Sequence, residues 1–361
     1  MSIPARRKFI FGAFVSVGLI AVGIQWGCAP ATPTAPGTAP TVGKATKVEL
    51  LNVSYDPTRE LWKDLNAAFE PDYEKKSGIE LDIKQSHAGS GAQARAIIDG
   101  LAADVATLSI WSDTEQLHKK GLLKDGWEDR LPNRSLPYTS TVVFVVRKGN
   151  PKGIKDWSDL VKKEIEIITP NPKTSGNGKL SLIAAWGSVT LGGGSEDDAR
   201  KFITELYQRT SKLDTGARGA TVTFSQKGVG DVHLTMESEA YLEVEESKGE
   251  LEIIYPTISI LHEPHVTVVD QVVDTKKTRE IAEAYLKFLY TDAGQEIIAK
   301  HHFRPTNPDI FAKHKGEFHE IKLFPITDIS KGGWAEVQAK FFADGGLFDQ
   351  IYKPSSGEGK K

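Results

Sequence analysis

The sequence has very little cysteine and almost no net charge. Among 361 residues there is one cysteine, Cys28, so no disulfide can form within the chain. Lys and Arg number 45 against 48 Asp and Glu, and the net charge of −3 excludes a strongly basic nucleic-acid-binding protein. After residue 45 no apolar stretch is long enough to span a membrane. With 39% hydrophobic and 26% charged residues the composition is globular, and the length predicts about two domains.

The N-terminus has the pattern of an export signal. A basic segment with the Arg6-Arg7 pair precedes eighteen uncharged residues, 9–26. The arginine pair resembles the twin-arginine signal, with ordinary Sec export as the alternative. Cys28 ends the apolar run as in a lipoprotein processing site, and plain cleavage or an uncleaved anchor are the alternatives. We expect a signal peptide over 1–28, lipidation at Cys28 and a periplasmic body, tethered to the membrane if Cys28 is lipidated.

The rest of the chain predicts a linker and an α/β body. Residues 29–45 are rich in proline, alanine and threonine, which is typical of a semi-extended tether. After them, short apolar strands alternate with amphipathic helices, which predicts largely parallel sheets with crossover helices. One long amphipathic helix is predicted over 278–300.

Two strand-like segments predict where the chain passes between two lobes. They lie near 139–146 and near 257–269. The predicted lobes are 46–140 with 265–355 for lobe 1, and 141–264 for lobe 2.

Three loops place small residues directly before a helix or beside one, at 86–91, 174–178 and 215–220. The first turn of a helix has unpaired backbone N–H groups and the positive end of the helix dipole, so it can bind an anion without a charged side chain. Each loop alone is better explained as an ordinary strand-to-helix turn. Three such loops in one chain favour an anion site.

The same residues give little support to other chemistry. The Gly-Ser-Gly run at 89–91 is not followed by the Lys-Ser/Thr of a P-loop, and there is no G-x-S-x-G elbow. A serine hydrolase would have to use Ser90 with His87 nearby, and this is the rival from a different class. The histidines form no metal-binding motif, so neither a metal nor another cofactor is expected.

Five separated motifs occur in order along the chain: LLNVSYDPTREL at 50–61, QSHAGSG at 85–91, NPKTSG at 171–176, AAWG at 184–187 and GARG at 216–219. Together they resemble the sulfate- and thiosulfate-binding proteins that serve ABC importers. The resemblance extends over about residues 47–352. The resemblance implies an α/β, two-lobed periplasmic-binding-protein fold, type II-like. In this fold each lobe is a mixed, mostly parallel sheet flanked by helices, and two hinge strands join the lobes.

The resemblance also implies a site between the lobes in which neutral donors hold a dehydrated anion. The positions that match donors in the family are Ser90, Ser175, Gly176 and Ala217. Asn177 and Met236 stand where the sulfate-binding branch usually has a glycine and a tryptophan. Because methionine has no N–H donor, the preference between sulfate and thiosulfate stays open.

Other matching residues are expected behind the anion-binding peptides. They are the charged residues Asp56 and Arg218, and the glycines Gly89 and Gly91.

The predicted function is a receptor, not an enzyme, that captures sulfate or thiosulfate and delivers it to an ABC permease in the membrane. A monomer is the default, and nucleic acid is not an expected partner. A receptor for another tetrahedral oxyanion, molybdate or phosphate, is the alternative. A site made only of donors would discriminate against phosphate, whose proton would be buried without an acceptor.

Overall fold

The computed structural model describes residues 47–162 and 164–352. The predicted signal peptide, Cys28 and the linker over 29–45 lie outside the described residues. In the described part of the chain, no helix has the length and apolar character needed to cross a membrane.

Strands make up the two main sheets and two small strand pairs. The strands of the described residues are β1 Lys47–Tyr55, β2 Glu80–Ala88, β3 Val105–Thr107, β4 Tyr138–Thr139, β5 Val142–Arg147, β6 Ile167–Pro170, β7 Thr210–Asp214, β8 Val232–Met236, β9 Leu251–Ile254, β10 Ile258–Ile260, β11 Val266–Val268, β12 Arg304–Pro305 and β13 Lys322–Phe324.

Helical segments cover both faces of the sheets. They are α1 Arg59–Ser77, α2 Ser90–Ile98, α3 Trp111–Lys119, α4 Pro132–Ser135, α5 Asp159–Lys162, α6 Gly176–Thr190, α7 Glu196–Gln208, α8 Ala217–Thr221, α9 Glu237–Glu246, α10 Asp270–Lys276, α11 Arg279–Phe288, α12 Asp292–Lys300, α13 Pro308–His314, α14 Gly333–Val337 and α15 Leu347–Ile351.

The first lobe is built on a four-stranded sheet in the order β11-β3-β1-β2. β1 is parallel to β2 and β3, and β11 runs antiparallel on the edge. Helix α1 turns Leu61, Leu65 and Phe69 into the core of this lobe, as the apolar spacing predicts, and it ends at Gly78 in the left-handed conformation. The carboxyl ends of β1 and β3 therefore lie at the same edge, where α2 and α3 begin.

The second lobe is built on a five-stranded sheet in the order β7-β6-β8-β5-β9. β6 is parallel to β7 and β8, whereas β5 is antiparallel to β8 and β9. The β-branched and aromatic run of β5 is buried, which is expected for a strand covered on both faces. The predicted α/β architecture of mixed sheets flanked by helices is confirmed.

The chain crosses between the lobes at paired backbone segments. Ser140 and His262 form an antiparallel bridge, with backbone N–O distances of 3.1 and 2.9 Å. Both residues fall in or beside the crossings predicted near 139–146 and 257–269. A third crossing follows, because β13 pairs in parallel with β10 of the second lobe.

The C-terminal segment packs differently from its predicted assignment to lobe 1. Its apolar side chains join the core of the second lobe: Phe324, Trp334, Val337, Phe341, Phe342, Leu347 and Phe348. The ring of Phe341 meets Trp186 of α6 edge-on at 4.9 Å. From β13 onwards the segment therefore packs with the second lobe, because α6 offers it an apolar face.

The single helix predicted over 278–300 is wrong, because the structure divides it into α11 and α12. Thr291 begins α12 as its N-cap, since its hydroxyl accepts a hydrogen bond from Gly294 N at 3.2 Å. The Gln295 amide donates to Leu289 O at 2.7 Å, in the turn between the helices. Side-chain capping thus interrupts a continuous apolar pattern.

Candidate anion-binding site

The three small-residue loops meet between the lobes. Helices α2, α6 and α8 begin at Ser90, Gly176 and Ala217, each at the end of one of these loops. The Thr174 hydroxyl donates to Thr215 O at 2.7 Å, which joins two of the loops directly. The structure therefore gathers three helix starts around one point.

A small cavity lies at this point. Residues of both lobes line it: Tyr55, Asp56, Pro57, Gly89, Ser90 and Ser109 from the first, and Ser175, Gly176, Asn177, Ala217 and Met236 from the second. All six residues predicted as ligands are in this set, together with Asp56 and Gly89. Their role in binding stays a prediction.

Two residues expected near the site do not line the cavity, and three unpredicted ones do. Gly91 lies one residue beyond Ser90 in α2, and Arg218 lies behind Ala217 in α8. The unpredicted lining residues are Tyr55, Pro57 and Ser109. Ser109 lies just beyond the carboxyl end of β3, a position where ligands commonly bind in α/β sheets, and this signal could have identified it.

The lobes approach so closely here that only glycine fits at certain positions. A Cβ on Gly89 would lie 2.5 Å from Thr174 O and 2.9 Å from Thr215 O, both in the opposite lobe. A Cβ on Gly176 would lie 2.6 Å from Ser109 Oγ. The structure is thus a closed arrangement in which backbone meets backbone across the cleft.

Ser90 and Ser175 line the cavity, one from each lobe, and each hydroxyl oxygen accepts a hydrogen bond from a backbone N–H. Ser90 Oγ accepts from Ser109 N at 3.1 Å, and Ser175 Oγ accepts from Gly178 N at 3.4 Å. Across the described residues, neither hydroxyl proton has an acceptor, so each can donate to a bound group. Both serines are almost completely buried.

Asp56 is the one charged residue of the lining. Its Oδ1 accepts from Arg59 Nη2 at 3.3 Å, and its carboxylate accepts from the backbone N–H of Arg218. Burial raises the pKa of Asp56, while the charges of Arg59 and Arg218 oppose that rise. Its negative charge is therefore already engaged by a guanidinium and by the start of α8.

Arg218 connects the two lobes behind the third loop. Its guanidinium lies 2.9 Å from Glu60 Oε2 of the first lobe and 3.2 Å from Glu239 Oε1 of the second. Glu239 is fully buried and accepts from the Thr221 hydroxyl at 2.7 Å. Burial raises the pKa of Glu239 to about 7 despite the neighbouring Arg218.

Asn177 and Met236 occupy the lining in different ways. The Asn177 amide donates to Leu234 O of β8 at 3.4 Å, so this side chain is bound to the sheet. The backbone of Asn177 belongs to the first turn of α6. Met236, which ends β8, is 1% exposed and gives the lining an apolar thioether. The lining therefore combines donors with one soft apolar side chain.

Ser90 and His87 do not form a nucleophile and base. His87 Nε2 lies 2.8 Å from Gln85 Oε1, and Nδ1 lies 3.3 Å from Tyr55 O. Burial lowers the pKa of His87 to about 4. Over residues 47–162 and 164–352 there is also no group of three side chains that could hold a metal.

Ion pairs join the lobes around the cavity. Lys179 Nζ lies 2.6 Å from Asp113 Oδ1, with side chains only 4% and 0% exposed. Arg304 binds both carboxylate oxygens of the buried Glu237 at 2.8 and 2.9 Å. Each pair combines a residue of one lobe with a residue of the other.

A second cavity between the lobes, of about 290 Å³, is lined by a tryptophan from each side. Trp111 begins α3 of the first lobe, and its indole N–H donates to Glu128 at 3.1 Å. Trp334 belongs to α14 of the C-terminal segment. The cavity thus spans the same cleft as the anion site.

Comparison with known proteins identifies the family. A model of the bacterial extracellular solute-binding protein family matches residues 52–304. The chain belongs to this family. Its two lobes, paired crossings and central cavity are those of a solute-binding protein, and the predicted two-lobed fold is confirmed.

Named relatives of this solute-binding protein cover nearly its whole body. The sulfate-binding protein of Escherichia coli K12 is 48% identical over 311 residues, 86% of this chain and 94% of the relative. The thiosulfate-binding protein of Pseudomonas aeruginosa is 47% identical over 308 residues, 85% of this chain and 92% of the relative. The predicted resemblance is confirmed, and these relatives are binding receptors, not enzymes.

A solved structure agrees with this assignment. The sulfate-binding protein SubI from Mycobacterium tuberculosis H37Rv matches with a TM-score of 0.74 and 31% identity. The match covers 81% of this chain and 99% of SubI.

Proposed function

We propose that this protein is an extracytoplasmic receptor that captures sulfate or thiosulfate between its lobes and delivers it to an ABC permease. The relatives that it matches over most of their length are named for these two anions. The observation that carries the proposal is the cavity itself, where three helix starts meet serine hydroxyls whose protons have no acceptor in the described part of the chain.

The anion would be bound by neutral donors. The first turns of α2 and α6, together with the backbone N–H of Ala217, offer N–H groups at the positive ends of helices. Ser90 and Ser175 add hydroxyls, one from each lobe. An anion held by both lobes stabilises the closed arrangement, because opening would remove half of its donors.

Selectivity against phosphate follows from the state of the lining. Near neutral pH phosphate carries a proton that needs an acceptor, and burying it unpaired costs about 1–3 kcal/mol. Asp56 is the available carboxylate, but Arg59 and the Arg218 N–H already bind it. Fully ionised sulfate and thiosulfate need donors only.

Met236 bears on the choice between the two sulfur anions. Its thioether offers an apolar contact and no N–H donor. Thiosulfate has one large, weakly hydrated sulfur atom that tolerates such a neighbour, whereas every sulfate oxygen requires a hydrogen bond. The same cavity can accept both anions, with Met236 setting their ratio.

The cellular context belongs to the same proposal. A signal peptide over 1–28 would export the protein, lipidation at Cys28 would attach it to the membrane, and the linker over 29–45 would hold the body away from the surface. The body would act as a monomer, with lobe boundaries near 140 and 265 as predicted and with the segment from β13 onwards packed on the second lobe.

Calorimetric titration tests the proposed function. The dialysed protein is titrated with sulfate, thiosulfate, molybdate and phosphate in parallel. We expect one-to-one binding of sulfate or thiosulfate that is at least tenfold tighter than that of phosphate. Absence of binding by both sulfur anions to folded, ligand-free protein would contradict the proposal.

A charged substitution tests whether the anion binds in this cavity. Ser175→Asp places a carboxylate against the anion, so we expect affinity to fall by about 100-fold or more. Ser158→Asp is the matched control, because Ser158 is exposed on the second lobe and already contacts Lys162 at 3.0 Å. Equal affinity of both variants would show that the site lies elsewhere.

A further inference from the structure

Resting on the proposed function, we infer that Ser109 is an additional anion ligand and that His262 orients its hydroxyl toward the anion. Neither residue belongs to the three small-residue loops. Ser109 follows β3 in the first lobe, and His262 lies on the crossing between the lobes.

Ser109 is placed where a bound anion would meet it. It lines the cavity and is 2% exposed. It lies against Gly176, the first residue of α6 in the opposite lobe, where an added Cβ would come within 2.6 Å of its Oγ. The Ser109 hydroxyl is therefore beside the first turn of α6, which is the longest of the three helices that begin at the site.

The contacts of His262 determine which nitrogen carries its proton. Nε2 lies 2.8 Å from the carbonyl oxygen of Ser109 and 3.0 Å from its Oγ. A carbonyl oxygen can only accept, so Nε2 must be the protonated nitrogen. Burial lowers the pKa of His262 to about 4, and the ring is therefore neutral near pH 7.

This tautomer fixes the role of the Ser109 hydroxyl. Its oxygen accepts from Nε2–H, so its own proton cannot point at His262. Ser109 Oγ has no other hydrogen-bond partner among the described residues. The free proton is thus left for a group inside the cavity. The same tautomer excludes nucleophilic activation, because Nε2 already holds a proton and cannot remove one from Ser109.

The surroundings of His262 hold the ring in this position. Its backbone pairs with Ser140 in the bridge between the crossing segments. The Tyr55 ring contacts the imidazole edge-on, with a centroid distance of 5.8 Å. Tyr55 also lines the cavity, so its presence there is explained by its support of His262.

A double-mutant cycle tests the inference. Purified wild type, Ser109→Ala, His262→Phe and the double variant are titrated with sulfate and thiosulfate. We expect Ser109→Ala to bind about 10- to 100-fold more weakly, since it removes a hydrogen bond to a charged group. His262→Phe should lose a similar factor, and the double variant should bind no more weakly than Ser109→Ala.

Two further variants control for structural damage. Ser140→Ala removes a buried hydroxyl at the same crossing that has no hydrogen-bond partner among the residues that the structure describes, and its affinity should stay within twofold of wild type. His262→Gln retains an N–H donor and should recover part of the affinity lost in His262→Phe. This recovery is the readout if His262→Phe folds poorly.

The outcomes separate this inference from the proposed function. Wild-type affinity in Ser109→Ala would overturn the role of Ser109 while leaving the receptor intact. Full persistence of the His262→Phe loss in the Ser109→Ala background would show that His262 acts independently of Ser109. If wild type binds neither anion, the proposed function fails and this inference fails with it.

Discussion

Neutral donors line most of the anion cavity, whereas ion pairs join the lobes around it. Inside, Ser90 and Ser175 each present a hydroxyl whose proton has no acceptor within residues 47–162 and 164–352. Outside, the charge of Lys179 is matched by Asp113 and the charge of Arg304 by Glu237. Buried charges are costly unless paired, so these pairs satisfy one another. The comparison teaches that paired charges join the lobes, while the cavity between them is lined mainly by neutral groups.

The largest loss of affinity is expected from a substitution that prevents the close approach of the two lobes around the cavity. Gly89→Ala would place a methyl group within 2.5 Å of Thr174 O, a backbone atom of the opposite lobe. We expect affinity for sulfate to fall more than about 100-fold, because the lobes can no longer close, with little loss of folding stability. Calorimetry and thermal unfolding measure the two quantities.

Gly91→Ala is the matched control for this substitution. It lies two residues away in the same segment, and its added methyl would be 3.6 Å or more from every neighbour outside the local chain. Its affinity should resemble wild type. Equal losses in both variants would mean that flexibility of the loop, and not the approach of the lobes, determines binding.

A smaller effect is expected from breaking an ion pair outside the cavity. Asp113→Asn leaves Lys179 buried without its counter-charge in the closed arrangement, and we expect affinity to fall about 10- to 100-fold. The anion dissociation rate should rise accordingly in stopped-flow measurements. Asp72→Asn breaks an exposed pair with Lys76 and should change nothing measurable. Wild-type affinity in Asp113→Asn would show that the ion pairs outside the cavity do not stabilise closure.

The smallest effects are expected from pH, and they differ in sign between three histidines and the buried carboxyl of Glu239. Burial lowers the pKa of His87, His262 and His265 to about 4, below the usual 6.5. The unfolded chain then binds more protons, so stability falls as pH decreases from about 6.5 toward 4. Glu239 of the second lobe has a pKa raised to about 7, so its contribution falls as pH rises from 4.5 toward 7.

Thermal unfolding between pH 4 and 8 checks these signs. His265→Phe should reduce the acid-side loss of Tm, and Glu239→Gln should reduce the loss between pH 4.5 and 7. A Glu239→Gln variant with the pH profile of wild type would contradict the raised pKa of this carboxyl.

The sequence predicted the parts of the site that depend on local signals. Glycine and serine before a helix can be read from a few residues, and these loops supply Ser90, Ser175 and Ala217 to the cavity. The family resemblance placed Asn177 and Met236 in the site, but it did not predict the orientation of their side chains. Asn177 is bound to β8, a contact between residues 57 positions apart.

Other features depend on contacts that no local pattern contains. Ser109 has no glycine beside it, and its importance follows from His262, which is 153 residues away in the chain. The C-terminal segment has ordinary amphipathic residues, and its place in the second lobe follows from long-range contacts such as the packing of Phe341 on Trp186 and the pairing of β13 with β10. The break at Thr291 was visible as a capping residue, but the apolar spacing continued through it.

Trp111 and Trp334, which line the second cavity, should allow closure of the lobes to be followed by intrinsic tryptophan fluorescence. Trp111 begins α3 of the first lobe and Trp334 belongs to the C-terminal segment that packs with the second lobe, so the two indoles line this cavity from opposite sides. Separation of the lobes would hydrate them and shift their fluorescence emission to longer wavelength. Adding sulfate should therefore shift the emission to shorter wavelength without any attached dye, and Trp334→Phe should weaken that signal.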